Sequence, residues 1–269
     1  ATAFVIPGLD WGDIIHQTIV PNMHFSKESL LLICAILGTT ISPYLFFWQT
    51  SQEVEDRHAA DVDESKRHHT RLRHHELEKK DVRKMRLDVW VGMFLSNAVM
   101  FFIIVTCAAT LFPEGIMVTS AESAAIALKP IAGQQAYILF ALGIIGTGML
   151  AVPVLAGSAA YAMAETFNWK GGLYRQLSHA HGFYGAIIIA MLLGMLMNFT
   201  GIDPIKALIY SAVLNGLIAP IILFFVVRIS SDKNLMGRWK NRPIITTIGW
   251  IVVGMMTLAG VAAIISMLI

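Results

Sequence analysis

An apolar run from Leu30 to Trp48 is long enough to cross a bilayer, and Gly38-Thr39-Thr40-Ile41-Ser42-Pro43 interrupts it near its centre. Pro43 has no N–H, so the carbonyl of Thr39, four residues earlier, is expected to lose its helical donor. Gly38 loosens the same turn. An unpaired carbonyl in hydrocarbon costs several kcal/mol, so broken backbone at membrane depth survives only where it is buried in protein or lines a watery cavity. Two readings follow: a binding site built on one free main-chain oxygen, or a prolyl kink absorbed by neighbouring helices.

Only a membrane protein can carry such a run together with the rest of this composition. Hydrophobic residues make up 56% of the 269, charged residues only 14%, and the mean hydropathy is +0.64; soluble chains are about one quarter charged. The expected fold is all-α and polytopic, with the lipid bilayer as its main partner. Six transmembrane spans are predicted at 30–50, 88–112, 134–165, 183–201, 205–228 and 243–269. Residues 1–29 read as an external connection, without the basic start or small-residue cleavage site of a secretory leader. Residues 51–87 read as a charged cytoplasmic loop.

Orientation follows from lysine and arginine, which collect on the cytoplasmic side. Seventeen of the 20 fall on alternate connections, 51–87, 166–182 and 228–243, and the opposite connections hold only Lys27, Lys129 and Lys206. The amino terminus then lies outside. That arrangement suits a chain preceded by an odd number of helices, so missing N-terminal helices are an expected partner. A bacterial inner membrane is the expected location.

The remaining marks are weaker. Cys34 and Cys107 lie unpaired in apolar spans and read as packing residues. The net charge of +2 belongs to the basic loops and suits an anionic leaflet; it gives no footprint for nucleic acid. His58, His68, His69, His74 and His75 crowd the 51–87 loop, either as a transition-metal tract or as part of a partly helical, solvated stretch in which Glu76 and Lys80 pair. Ser120 to Leu128 reads as a short external helix that Lys129-Pro130 ends. Glycines 143, 146, 148 and 157 allow close helix packing, Pro153 and Pro220 are expected to bend their helices, and Asn97 and Asn215 are intramembrane amides that need partners.

No Asp, Glu, Lys, Arg or His lies between Leu30 and Trp48 or in the centres of the other five spans. A divalent cation stripped of water costs tens of kcal/mol unless anions or many oxygens replace that water. These spans offer carbonyls, hydroxyls and amides alone, so a carboxylate ligand would have to come from elsewhere.

The stretch Leu37-Gly-Thr-Thr-Ile-Ser-Pro-Tyr-Leu-Phe-Phe-Trp-Gln-Thr50 resembles the broken sixth helix of the Nramp family of divalent metal transporters. Ala121-Glu-Ser-Ala-Ala with Pro130, Phe140-Ala-Leu-Gly143, Gly157 and Glu165-Thr-Phe-Asn-Trp169 look like its seventh-to-eighth helix region. Gly201-Ile-Asp-Pro204, Leu214-Asn-Gly216 with Pro220, and Leu235-Met-Gly237 are similar to its later helices. The resemblance covers essentially the whole chain. It implies the second inverted repeat of a LeuT-type fold plus one extra helix, beginning after the family's fifth helix, with the ion held at midplane and moved by alternating access. The family's first broken helix, with its Asp-Pro-Gly-Asn motif, has no counterpart here.

Carried over residue by residue, the family's carbonyl ligand falls on Thr39. Its methionine sulfur ligand falls on Ser42, a hard oxygen, so the resemblance implies a metal site at Thr39 and Ser42. The two histidines of the usual motif fall on Tyr44 and Gln49, and a glutamine that approaches the ion falls on Ala212. Tyr44, Gln49, Ala212 and Asn215 are expected to line or support the pathway, with Asn97 as a candidate polar gate. These replacements resemble those of Nramp-related magnesium transporters. The implied function is secondary transport of a divalent metal ion, Mg²⁺ or Mn²⁺ favoured, with no enzymatic step and no resident cofactor. A LeuT-fold carrier of a small organic substrate and a non-transporting membrane scaffold are the alternative readings.

Overall fold

The computed structural model describes residues 2–6, 9–20, 26–68, 79–116, 118 and 120–268. Among them the regular structure is helical. The helices run α1 Thr2–Val5, α2 Trp11–Ile19, α3 Lys27–Thr40, α4 Pro43–His68, α5 Lys79–Thr110, α6 Ala121–Ala125 and α7 Lys129–Ala132. They continue with α8 Ala136–Thr166, α9 His181–Met197, α10 Pro204–Ser231, α11 Lys233–Met236 and α12 Pro243–Leu268.

Polar caps mark several starts. Asp10 accepts from the N–H of Gly12 at 2.9 Å to open α2, and Ser26 from Ser29 at 3.2 Å to open α3. Asp203 accepts from Ile205 at 2.9 Å, with Pro204 as the first residue of α10, where its missing N–H leaves no helical bond unmade. Ser120 and Ser123 bond reciprocally as a capping box at α6.

Among the described residues, five helices are long and apolar enough to cross a membrane, in α3–α4, α5, α8, α10 and α12. The sixth expected span, 183–201, falls on α9, an apolar helix of 17 residues and so shorter than these five, followed by a turn to Gly201. At 1.5 Å per residue it is about 25 Å long, the lower limit for crossing. Pro153 and Pro220 both lie inside continuous helices.

Two expectations need correction. The 51–87 segment is not mainly loop: α4 runs on to His68 and α5 already begins at Lys79, in a charge-rich stretch where Glu, Gln, Ala, Lys and Arg favour helix. Of the external connection expected at 1–29, the described residues include α1, α2 and the start of α3. Lys129-Pro130 does not end the external helix but opens α7, whose first turn tolerates a proline. Of the histidine tract, His58 lies on α4 and His68 is its last residue, while His69, His74, His75 and the Glu76 of the proposed ion pair lie outside the described residues.

The chain divides into two compact units. One comprises Ala1–Pro21 and Trp48–Gly194. Its core gathers Ala160, Tyr161 and Ala164 of α8 with Ala180, Phe183 and Ala186. Trp48 packs on this core, its ring edge-on to Tyr161 at 6.0 Å, and lies directly over Gly157, where a side chain would overlap the indole. The other unit comprises Asn22–Phe47 and Met195–Ile269 and is built from α3, α10 and α12, which pack on one another around Ala35, Ala212 and Val213. Broad apolar faces stay uncovered, as at Met149 and Leu150 of α8 or Met255 and Leu258 of α12, which suits lipid.

A broken helix seated on a glycine contact

The interruption expected at Pro43 is present. Helix α3 ends at Thr40, Ile41 leaves helical geometry at φ −109° and ψ 71°, and α4 starts at Pro43. The last regular bond of α3 runs from the Ile41 N–H to the Leu37 carbonyl at 2.9 Å, and the first of α4 from Leu45 N–H to the Ser42 carbonyl at 3.1 Å. Placing proline at the first position of a new helix, rather than inside one, avoids the clash and the lost bond that an unbroken rod would suffer.

The oxygen expected to be free has a partner. Ser42 Oγ donates to the Thr39 carbonyl at 2.7 Å and lies 3.4 Å from the Gly38 carbonyl. Proline removes the backbone donor and the serine hydroxyl replaces it, so the carbonyl keeps one lone pair for another ligand. Thr40 Oγ1 donates to the Ile36 carbonyl at 2.6 Å, and Thr39 Oγ1 reaches the same oxygen at 2.9 Å. The end of α3 is therefore a cluster of carbonyl and hydroxyl oxygens at the negative pole of a helix dipole. Ser42 is only 2% exposed, while Thr39 is exposed.

Gly38 does more than loosen the turn. A Cβ there would overlap the Ala212 carbonyl and the Gly216 N of α10, and would stand 2.7 Å from the Gly216 Cα. Gly216 is matched in turn against the Cys34 carbonyl, and a Cβ on it would meet Cys34 Sγ at 2.8 Å. Backbone thus lies on backbone at the break, the close approach that small residues permit. Cys34 is a buried free thiol in this contact, the packing role expected of it.

The seven residues singled out from the sequence divide between the two units. Thr39, Ser42 and Tyr44 share one unit with Ala212 and Asn215, and the Gly38 contact sets Ala212 beside the break. Ala212 presents its carbonyl to Gly38 and is buried. Asn215, one residue before Gly216, is half-buried, and its amide makes no hydrogen bond with another described residue. Tyr44 is half-buried near the start of α4, and Gln49 of the same helix is exposed. Gln49 and Asn97 belong to the other unit. Asn97 is exposed on α5, and its amide donates to the Met93 carbonyl of its own helix at 2.7 Å.

Among the described residues, no group of three His, Cys, Asp or Glu side chains converges as a metal site, in keeping with spans empty of ionisable residues. One polar assembly escaped the sequence reading. Glu55 of α4 binds Tyr161 of α8 and the backbone of the α8–α9 connection. In the sequence Glu55 is one acid among many in a charged stretch, and nothing there pairs it with a tyrosine 106 positions away.

Comparison with known proteins places these features in a lineage. The family described as natural resistance-associated macrophage protein-like, Nramp, matches residues 1–266. A divalent metal cation transporter MntH of Clostridium acetobutylicum is 25% identical over 93% of this chain and 53% of its own length. The MntH of Caldanaerobacter subterraneus is 25% identical over 90% of this chain and 52% of its own length, and that of Mycobacterium leprae 26% over 88% and 50%. The chain spans about half the length of these curated relatives.

Proposed function

Since the chain belongs to the Nramp family, we propose that it supplies one half of a secondary transporter that moves a divalent metal ion across the membrane by alternating access. The observation that carries this reading is the break at Ile41-Ser42, where oxygen ligands gather in the interior of a membrane-length helix. The Thr39 carbonyl and the Ser42 hydroxyl are the proposed ligands, Ala212 and Asn215 the neighbouring wall, and Tyr44 and Gln49 pathway residues further along α4. Asn97, satisfied by its own helix, is the least engaged of the candidates.

The few neutral oxygens at the break do not by themselves offset the desolvation of a doubly charged ion, so on this reading a carboxylate or further oxygens come from helices beyond those that form the break. With oxygen in place of sulfur, the ligand set suits a hard ion that keeps part of its water, Mg²⁺ or Mn²⁺ rather than a softer metal. The relatives carry the name of divalent metal cation transporters, which agrees with this class of substrate.

Uptake of labelled Mn²⁺ and Mg²⁺ into proteoliposomes holding the full-length gene product tests the proposal. Flux of either metal is expected. Flux of neither, in vesicles where the protein is folded, would return it to the scaffold or organic-carrier readings.

A further inference from the structure

Beyond Trp48, helix α4 carries a carboxylate, Glu55, that three donors from elsewhere in the chain hold in place. Glu55 Oε1 accepts the Tyr161 hydroxyl at 2.6 Å and the Leu173 N–H at 2.9 Å, and its Oε2 accepts the Tyr174 N–H at 3.2 Å. Gln52, one turn earlier on α4, donates to the Tyr161 oxygen at 3.1 Å. Turning two successive backbone N–H groups onto one carboxylate requires an unusual bend before them. Gly172 provides it at φ +124°, and a Cβ there would stand 2.7 Å from Glu55 Oε1 and 2.6 Å from the Tyr174 ring. The connection is pinned from its other end by the Tyr184 hydroxyl of α9, which donates to the Arg175 carbonyl at 2.8 Å.

Two properties make this assembly a reversible clasp rather than a permanent brace. Every group bonded to Glu55 in it is neutral, although bonds to an ionised carboxylate are short and about twice as strong as neutral ones. Both main-chain bonds are solvent-exposed, so water can replace the carboxylate at Leu173 and Tyr174 without stranding a buried donor. Beside the clasp lies a cavity of about 370 Å³ whose lining includes Thr50, Ser51, Glu165, Asn168 and Gly171, on the side that the lysine and arginine distribution marks as cytoplasmic.

The geometry points to Glu55 as a positioning residue for transport, fastening the cytoplasmic stretch of α4 to the α8–α9 connection while that side is closed and letting go when it opens. The inference rests on the transport reading above. Glu55 is not among the proposed ligands; it acts through α4, which begins at Pro43.

The test uses the full-length gene product in membranes with four substitutions. Glu55→Gln keeps the size but sets an NH₂ group against backbone N–H donors. Gly172→Ala breaks the clasp from the other side with no change of charge. Asp56→Asn, at the exposed neighbouring position, is the control. Ser51→Cys, with Cys34 and Cys107 changed to alanine, reports access to the cavity through an impermeant maleimide.

In Glu55→Gln and Gly172→Ala, amide exchange at Leu173 and Tyr174 is expected to quicken about tenfold, as is labelling at position 51. Half-saturation for external Mn²⁺ should rise several-fold, because a smaller share of the protein waits in the closed state, and Asp56→Asn should match the parent. Unchanged exchange in Glu55→Gln overturns the clasp. So does a fall in maximal uptake at constant half-saturation, which is what a merely structural role gives. A parent protein that carries no metal but shows the exchange and labelling changes would sink the transport reading and keep the clasp as a conformational device.

Discussion

Gly38→Ala is the substitution that most directly probes how the broken helix is seated. The added Cβ would stand 2.7 Å from the Gly216 Cα and would overlap both Gly216 N and the Ala212 carbonyl. Ordinary carbon contacts begin near 3.4 Å, so α3 and α10 would have to part by at least about 0.7 Å to clear the Gly216 Cα and by more to clear the Gly216 N and the Ala212 carbonyl, and all three obstructing atoms are backbone that cannot rotate away. Overpacking costs about 1–3 kcal/mol where side chains can adjust, and here the upper end is expected because they cannot. A loss of about 3 kcal/mol lowers the melting temperature by roughly 6–12 °C for a chain of 150–250 residues. The assay is thermal unfolding of the full-length protein in one detergent, run beside metal uptake in vesicles. Gly143→Ala is the internal control: no atom lies within 4 Å of a Cβ built there, and alanine gains up to about 1 kcal/mol of helix propensity. Melting and uptake at parental values in Gly38→Ala would refute the argument that this glycine fixes the break against α10.

Other parts of the structure give independent checks. Gly157→Ala drives a methyl into the Trp48 ring and is expected to cost about 1–3 kcal/mol, read as a lower melting temperature; an unchanged one would mean that the indole swings away freely. Asp203→Ala removes the cap that accepts from Ile205, a loss of about 0.5–2 kcal/mol measurable by the same unfolding assay. Pro43→Ala returns an N–H that can close onto the Thr39 carbonyl. Uptake is expected to fall while stability moves by less than about 1 kcal/mol, and full uptake would show that the break does not depend on proline.

The parts of the fold that were legible in the sequence are those set by one-dimensional signals. Apolar length located α8, α10 and α12 to within a few residues and the C-terminal end of α5 but not its start, and Pro43 located the break. Boundaries failed where solvent, not lipid, surrounds the helix. Residues 51–68 are dense in charge in the sequence and give no apolar run to read, yet they propagate α4 because a helix already nucleated adds residues at little cost. The site was half legible. Backbone chemistry identified the Thr39 carbonyl as the one that Pro43 deprives of a main-chain donor but not the Ser42 hydroxyl that takes the donor's place, since the direction of a hydroxyl depends on the dihedral angles of the break. Gly216 faces Gly38 and Cys34 across about 180 positions of sequence, and the clasp at Glu55 joins residues more than 100 apart; no local pattern encodes either.

The Ser42 hydroxyl can stand to a metal ion in two ways, and they give opposite signs on substitution. In the structure the hydroxyl donates to the Thr39 carbonyl, 2.7 Å away, and an ion bound by both oxygens would occupy the space that this bond bridges. Adjacent ligands of a six-coordinate Mg²⁺, each about 2.1 Å from the metal, lie about 3.0 Å apart, so the two oxygens need little rearrangement once the hydroxyl has turned. Turning it forfeits a hydrogen bond of about 0.5–1.5 kcal/mol, which coordination by both oxygens must exceed. If Ser42 is a ligand, Ser42→Ala deletes one coordinating oxygen and the half-saturation concentration for metal rises, about tenfold for each 1.4 kcal/mol lost. If the hydroxyl only shields the carbonyl, the same change uncovers Thr39 and the half-saturation concentration falls. A rise is expected, because a side chain 2% exposed at the break leaves little room for water to replace the missing oxygen. A fall would remove Ser42 from the ligand set and leave the main-chain oxygen of Thr39 as the sole proposed ligand on this helix.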